Sequence, residues 1–177
     1  FDGFSGSGVI SRLLKLHSNK LIVNDLEYYC YVINKCYLSN LDATQINEIK
    51  DKIDYLNSER KNYNKKGFIE KLYCSENDNN IQVGERLFFT NENGKIIDYL
   101  RSLIKDDDYY SLSSLLYKVS VHNNTSGVFK GFYKDTETNK GQFGGNAKNA
   151  LKRITKTIEL SYPIFFKNQC QTIVKQK

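Results

Sequence analysis

The chain opens with a glycine-spaced turn that passes directly into a helix and then a short apolar strand. Residues 4–8 read Phe-Ser-Gly-Ser-Gly, and VISRLLKLH follows with apolar residues at helical spacing. The LIV stretch at 21–23 predicts a buried parallel strand that ends at Asn24 and Asp25. Glycines let a backbone turn sharply and approach a ligand closely. This order indicates most of a βαβ unit, of whose first strand the chain is expected to contain at most the end.

Asp25 is the candidate partner of that turn. It follows the strand, and in a βαβ unit this position lies beside the glycine turn, where a carboxylate accepts the ribose hydroxyls of an adenosine cofactor. Glu27 is the nearby alternative. Ser11 stands where a dinucleotide fingerprint has its third glycine, so S-adenosylmethionine is favoured over a nicotinamide cofactor. Two alternatives remain open from the residues alone: a tight turn without a ligand, and Asp25 as a helix N-cap.

Helices dominate the prediction for the rest of the chain. Thr90 or Asn91 is a candidate N-cap, and the acidic run 106–108 favours the start of the helix that follows it. Five glycines with interleaved aromatic residues predict a hairpin or extended loop over 122–145. The predicted helices cover 27–38, 41–56, 68–72, 90 or 91 to 105, and about 109 to 121. A further helix is capped by Asn146 and runs to about 159, and a strand is predicted within 164–174.

Charge and composition limit the function classes. The net charge of +6 permits a polyanionic partner. Lysines and Arg153 outnumber Asp135 and Glu137 between 130 and 156, with Phe and Tyr among them, which suits phosphate pairing and base stacking. A solvated basic face is the alternative. The four cysteines have no metal-ligand spacing, and no apolar run is long enough for a membrane span, so a cytoplasmic protein without a metal is expected.

Four stretches of the chain resemble one enzyme family. FDGFSGSGVISRLLK and IVNDLEYYCYVINKCYL resemble the cofactor half of bacterial N6-adenine DNA methyltransferases of the DNA adenine methylase type. LSSLLYKVSVHNNTSGVFKGFYK and NALKRITKTIEL are similar to the region between the cofactor and catalytic motifs of that family. The resemblance implies an α/β fold: a partial Rossmann-like, S-adenosylmethionine-dependent methyltransferase fold with a mainly helical insertion and target-recognition region.

The resemblance also implies site residues. Residues 1–40 would form the cofactor-binding part, 41–160 the helical insertion and target-recognition region, and 161–177 the return to the sheet. The implied cofactor-binding residues are Phe4, Ser5, Gly6, Ser7, Gly8, Asp25 and Leu26. The implied DNA-binding residues are His122, Asn123, Asn124, Thr125, Ser126, Lys130, Lys134 and Lys140.

The resemblance has one clear departure. The family's catalytic tetrapeptide, D-P-P-Y or a close relative, is absent, and Pro163 is the only proline. The chain is therefore expected to be a fragment, inactive alone, of an enzyme that transfers a methyl group from S-adenosylmethionine to N6 of adenine in a specific sequence of double-stranded DNA, within a restriction-modification or related system. The alternatives are an inactive DNA-binding or specificity module and a methyltransferase acting on RNA. The expected oligomeric state is a monomer.

Overall fold

The computed structural model describes residues 1–125, 131–145 and 148–177. Within them the chain is mainly helical and carries a small parallel sheet, so its mixed α/β character is as predicted. No helix in these residues has both the length and the apolar character that a membrane crossing requires. The helices are α1 (Val9–Leu16), α2 (Tyr28–Tyr37), α3 (Ala43–Glu59), α4 (Phe68–Tyr73), α5 (Asn91–Leu103), α6 (Tyr109–His122) and α7 (Leu151–Thr155), and the strands are β1 (Lys20–Asp25) and β2 (Gln171–Gln176).

The chain divides into two compact units. The three functional segments expected from the sequence stay a prediction. Unit 1 comprises Phe1–Tyr55, Ile104–Leu116 and Leu160–Lys177, and unit 2 comprises Leu56–Leu103 and Tyr117–Glu159.

The sheet of unit 1 is parallel, with β1 in the middle. On one side β1 pairs with β2, so that Leu21 lies opposite Thr172. On the other side Asp2 forms a parallel bridge to Val23, through backbone hydrogen bonds from its N–H to the Ile22 carbonyl and from the Asn24 N–H to its own carbonyl. The expected end of a strand in front of the glycine turn is therefore present.

The helix α1 forms where the spacing predicts it, but its buried face is the polar one. Ser11 and Lys15 are almost completely buried, whereas Ile10 and Leu13 are more than half exposed. The Ser11 hydroxyl donates to a carboxylate oxygen of Asp2 at 2.6 Å. These contacts give the polar side of the helix partners inside unit 1, which is why it faces inward.

Lys15 connects three segments of unit 1. Its ammonium group donates to the carbonyls of Ser39 at 2.9 Å and of Phe166 at 3.0 Å. Asn168 in turn donates to the Lys15 carbonyl at 2.5 Å. These side chains hold the backbone before β2. The strand begins at Gln171, inside the predicted range 164–174, and continues to Gln176.

Unit 2 is built around α5, which buries Ile96, Ile97 and Leu100. The predicted cap at Thr90 is confirmed, since its hydroxyl accepts the N–H of Asn93 at 3.2 Å. The Asn93 side chain then donates to the carbonyls of Ile154 and Lys156 and accepts from the Ile158 N–H. This buried asparagine joins α5 to the segment around α7.

The hairpin predicted within 122–145 is present in part. Lys134 and Gly141 form an antiparallel bridge, and Asp135 organises the turn between them by accepting from the N–H groups of Glu137 and Thr138. The helix predicted to end near Glu159 is the shorter α7. Its predicted cap, Asn146, lies outside the described residues.

Candidate cofactor loop and basic hairpin

The glycine turn of residues 4–8 is a fixed loop at the carboxyl end of the Asp2 strand position. Gly6 and Gly8 have φ angles of 51° and 75°, a backbone region that favours glycine. The Gly8 N–H donates to the Ser5 carbonyl at 2.8 Å and closes the turn. A Cβ placed on Gly6 meets nothing within 4 Å. One side of the turn is therefore open to a ligand.

Asp25 lies against this turn, as its position after the strand predicted. One carboxylate oxygen accepts the Gly6 N–H at 2.7 Å, and the other accepts the Glu27 N–H at 3.0 Å. The backbone N–H of Glu27, followed by that of Gly6, lowers the pKa of Asp25 below its ordinary value. Its carboxylate is charged at neutral pH, and its contact with a cofactor stays a prediction.

The residues around the turn fit S-adenosylmethionine. The Asp25 carboxylate, which accepts the N–H groups of Gly6 and Glu27, is the type of acceptor that ribose hydroxyls need. The Phe4 side chain is 96% exposed and gives an apolar surface beside the turn, and Leu26 is 74% exposed. Ser7 is exposed as well. The five predicted turn residues and the two strand-end residues thus lie together in unit 1.

One residue that contacts this turn was not predicted from the sequence. Asn34 on α2 is 1% exposed, and its amide group donates to the Ser5 hydroxyl and to the Gly6 carbonyl. The available signal was a lone amide side chain within the apolar run of EYYCYVINKCYL. A buried polar residue in such a run needs partners, and here they are the atoms of the turn.

In unit 2, His122 is the last residue of α6 and has a hydrogen-bond partner within the protein. The side chain is buried, and Nδ1 donates to the Arg153 carbonyl at 2.7 Å. Burial lowers the pKa of His122 below its ordinary value, and the nearby charges of Lys118, Lys156 and Arg153 lower it further. The imidazole is therefore neutral at neutral pH and has an internal partner.

The next three residues are buried as well. Asn124 donates to the carbonyls of Leu87 at 2.8 Å and Gln142 at 3.0 Å, and its side-chain oxygen accepts the Gly144 N–H at 3.0 Å. The Thr125 hydroxyl donates to the Asn123 side chain at 2.6 Å. The polar run that the sequence analysis placed near DNA thus holds unit 2 together. Its predicted contact with DNA is untested, and these side chains are not on the surface.

The predicted DNA-binding lysines of the hairpin differ from this run. Lys134 and Lys140 are both exposed, and the Lys134 ammonium group lies 5.3 Å from the centre of the Phe132 ring. Ser126 and Lys130, also predicted to contact DNA, lie outside the described residues. In the described part of the hairpin, the exposed cations rather than the buried amides are available to phosphates.

Thiol and metal chemistry have little support in the residues described. All four cysteines are buried and free. Burial raises the pKa of Cys36 and of Cys74 to about 12, so both are protonated thiols at neutral pH. No group of three or more His, Cys, Asp or Glu side chains in the described ranges is arranged to hold a metal ion.

Comparison with known proteins identifies the family. The D12 class N6 adenine-specific DNA methyltransferases match residues 1–177. The chain is 31% identical over 145 residues to the type II methyltransferase M.NlaIII of Neisseria lactamica, covering 76% of this chain and 40% of that protein. It is 27% identical over 148 residues to the type II methyltransferase M.FokI of Planomicrobium okeanokoites, covering 75% and 22%. No solved structure matches.

The chain therefore belongs to the D12 class N6 adenine-specific DNA methyltransferase family, as its resemblance to the DNA adenine methylases indicated. A further relative is the type II methyltransferase M.CviAII of Paramecium bursaria Chlorella virus 1, 29% identical over 164 residues that cover 86% of this chain. The chain spans between 22% and 43% of the length of the curated relatives it matches.

Proposed function

We propose that the complete protein transfers a methyl group from S-adenosylmethionine to N6 of adenine in double-stranded DNA, and that this chain supplies its cofactor loop and part of its DNA-binding surface. The observation that carries the proposal is the 2.7 Å hydrogen bond from the Gly6 N–H to Asp25. This bond places a glycine turn and an acidic strand end side by side, the arrangement by which βαβ units bind adenosine ligands. Family membership supplies the reaction class.

The arrangement of the sheet supports a Rossmann-like methyltransferase fold for unit 1. The Asp2 strand position, β1 and β2 run parallel with β1 in the middle. The glycine turn and Asp25 both lie at the carboxyl ends of their strands, the edge at which open α/β sheets bind ligands. The helix α1 starts directly after the turn, so its first N–H groups lie at that same edge.

Within this proposal the chain's own residues bind and orient the cofactor. Gly6 and Gly8 allow the backbone to approach it, Asp25 accepts hydrogen bonds from ribose hydroxyls, and Phe4 covers an apolar part. S-adenosylmethionine supplies an activated methyl group on its sulfonium. The chain contains no D-P-P-Y sequence, so the groups that bind the target amine are assigned to other parts of the complete protein.

The DNA-binding surface is proposed to include the exposed hairpin lysines. Lys134 and Lys140 lie on the two sides of the turn that Asp135 organises, and both side chains are free to reach phosphates. The buried run from His122 to Thr125 holds the base of this hairpin, since Asn124 joins Gln142 and Gly144. An inactive DNA-binding module would use the same surface without methyl transfer.

The test is the affinity of the complete protein for S-adenosylmethionine, measured by isothermal titration calorimetry. Replacing Asp25 with Ala removes the ribose acceptor and the brace on Gly6, and should weaken binding roughly tenfold or more, a loss of about 1.4 kcal/mol or more. Glu27→Ala is the matched control, because it removes a carboxylate two positions away and should change the affinity less than about threefold. Equal losses in both variants would contradict the assignment of Asp25.

A second measurement separates the enzyme from the binding module. The complete protein is incubated with S-adenosylmethionine carrying a labelled methyl group and with duplex DNA, and the nucleosides are then analysed. Label on N6-methyladenine supports the enzyme. Cofactor binding without labelled DNA, over a range of target sequences, favours the inactive module.

A further inference from the structure

Asn34 holds the turn from two directions. Its side-chain Nδ2 donates to the Ser5 hydroxyl and to the Gly6 carbonyl, both at 3.1 Å, and to the Cys30 carbonyl of its own helix at 2.8 Å. The Ser5 hydroxyl in turn donates to the Asn24 carbonyl at 3.2 Å. The amide of α2 is thereby connected through the turn to the end of β1.

The same side chain fills the space beneath Gly8. A Cβ built on Gly8 would lie 2.3 Å from Asn34 Oδ1, a distance that real Cβ atoms do not adopt. Gly6 is the contrast within the same turn, since its Cβ would meet open space. Both glycines have positive φ, so the difference between them is the Asn34 amide and not the backbone conformation.

Burying the Asn34 side chain costs folding stability, and packing alone does not explain why an amide is found there. Its Oδ1 atom is buried and has no hydrogen-bond partner. A buried acceptor without a donor is destabilising, and an apolar side chain of similar size would avoid that penalty. The side chain is 1% exposed, so it does not reach a ligand at the open side of the turn. Its hydrogen bonds lead to the Ser5 hydroxyl and the Gly6 carbonyl of the turn and to the Cys30 carbonyl of its own helix.

We infer that Asn34 is a positioning residue of the cofactor loop: its amide fixes Ser5 to Gly8 in the conformation that binds the cofactor, without touching the cofactor itself. The inference rests on the proposed function of this loop. A loop fixed before binding loses less conformational entropy when the ligand arrives, so its affinity is higher than that of a mobile loop. Asn34 thus acts through Ser5, Gly6 and Gly8.

The experiment measures S-adenosylmethionine affinity of the complete protein by calorimetry for wild type and for Asn34→Leu, which keeps the volume and removes the amide. The expected result is binding weakened roughly tenfold, with duplex DNA affinity within about twofold of wild type. Ser113→Ala is the matched control: it removes a different buried polar group of unit 1, the hydroxyl that donates to the Val32 carbonyl on α2. Its cofactor affinity should stay at the wild-type level.

Each result decides one point. Wild type that does not bind S-adenosylmethionine overturns the proposed function. Wild type that binds, with Asn34→Leu binding equally well, overturns the positioning role alone. A fall in cofactor and DNA affinity together, matched by Ser113→Ala, also overturns it, because general destabilisation then explains the loss.

A double-mutant cycle keeps the inference testable if Asn34→Leu does not fold. Gly8→Ala places a methyl group against Asn34 Oδ1, and Asn34→Ala removes that atom. The two substitutions should be coupled, so that Asn34→Ala costs less affinity in the Gly8→Ala background than in wild type. In the same cycle with Gly6→Ala, the effects of the two substitutions should add, because a methyl group on Gly6 does not meet the Asn34 side chain. Additive behaviour in both cycles overturns the inference.

Discussion

The glycine turn of unit 1 and the polar run His122–Thr125 of unit 2 use side chains in opposite ways. In the turn, Phe4 is 96% exposed and the open side of Gly6 faces away from the protein, while α2 and the end of β1 hold the backbone. In the run, the side chains themselves are buried and hold neighbouring segments. The turn is held in place by neighbouring segments, so its own surface stays available to a ligand. The side chains of the run bind neighbouring segments of unit 2 and are therefore not available to a ligand.

The difference has a physical basis in hydrogen bonding. A buried amide must find partners for its donors and its acceptor, and Asn124 finds three of them in the carbonyls of Leu87 and Gln142 and the N–H of Gly144. The polar atoms of Asn124 are therefore satisfied within the protein, without hydrogen bonds to water or DNA. The turn instead receives its bonds through backbone atoms and Ser5, so its remaining surface stays available.

The largest expected effect tests the internal role of the run. Asn124→Ala removes three hydrogen bonds from a buried site and should lower the free energy of unfolding by about 3 kcal/mol. Chemical denaturation of the complete protein measures it. Asn149→Ala is the control at an exposed position and should change stability by less than about 0.5 kcal/mol.

This comparison breaks if Asn124→Ala keeps full stability and loses DNA affinity. Asn124 would then be a DNA contact, as the sequence analysis predicted, and the two loops would not differ in kind.

A smaller effect is expected at the surface of the hairpin. Lys134→Ala and Lys140→Ala should each weaken binding to a duplex of random sequence by about 0.5 to 1 kcal/mol. Each should also reduce the slope of log K against log salt concentration by about one. The stability of the protein should not change. Fluorescence anisotropy at several salt concentrations measures both quantities.

Lys50→Ala is the control for loss of one positive charge, since Lys50 is an exposed lysine of α3. If its salt slope changes as much as that of the hairpin variants, net charge explains the result and the hairpin has no special role.

The smallest effect concerns an aspartate in each unit. Asp25 accepts backbone N–H groups of Glu27 and Gly6, and Asp135 accepts the N–H and hydroxyl of Thr138; these bonds lower both pKa values below the ordinary 3.8. A lowered pKa means that the charged form stabilises the fold. That contribution is complete above the ordinary pKa and is lost as the pH falls through the lowered one.

The measurement is the free energy of unfolding of wild type, Asp25→Asn and Asp135→Asn between about pH 5 and pH 2. Each variant should lose less stability on acidification than wild type. A variant that follows the wild-type curve would show that its aspartate has the same pKa in the folded and unfolded chains, and would exclude that loop from the comparison.

The local elements of the chain were largely readable from the sequence. The helices, the cap at Thr90 and the order of turn, helix, strand and helix at the start are confirmed. They depend on nearby residues: apolar spacing, a capping hydroxyl and a glycine turn. Asp25 could be placed beside the turn for the same reason, because the geometry of a βαβ unit fixes where two adjacent strands end.

Which side of an element is buried depended on partners distant in sequence. The spacing of α1 predicts an apolar inner face, yet Ser11 and Lys15 are inside, because Asp2, Ser39 and Phe166 provide partners for them. Asn34 and Asn124 are likewise buried by contacts to residues 18 to 37 positions away. No local pattern contains that information.

The sequence by itself determined the family, the glycine turn with its acidic partner, and most of the helices, since these depend on residue types at short spacing. Only the tertiary structure decided which polar side chains are available to a ligand. A polar residue in a sequence is equally compatible with water and with a buried hydrogen-bond network. The choice is made by whether folding brings donors and acceptors to it.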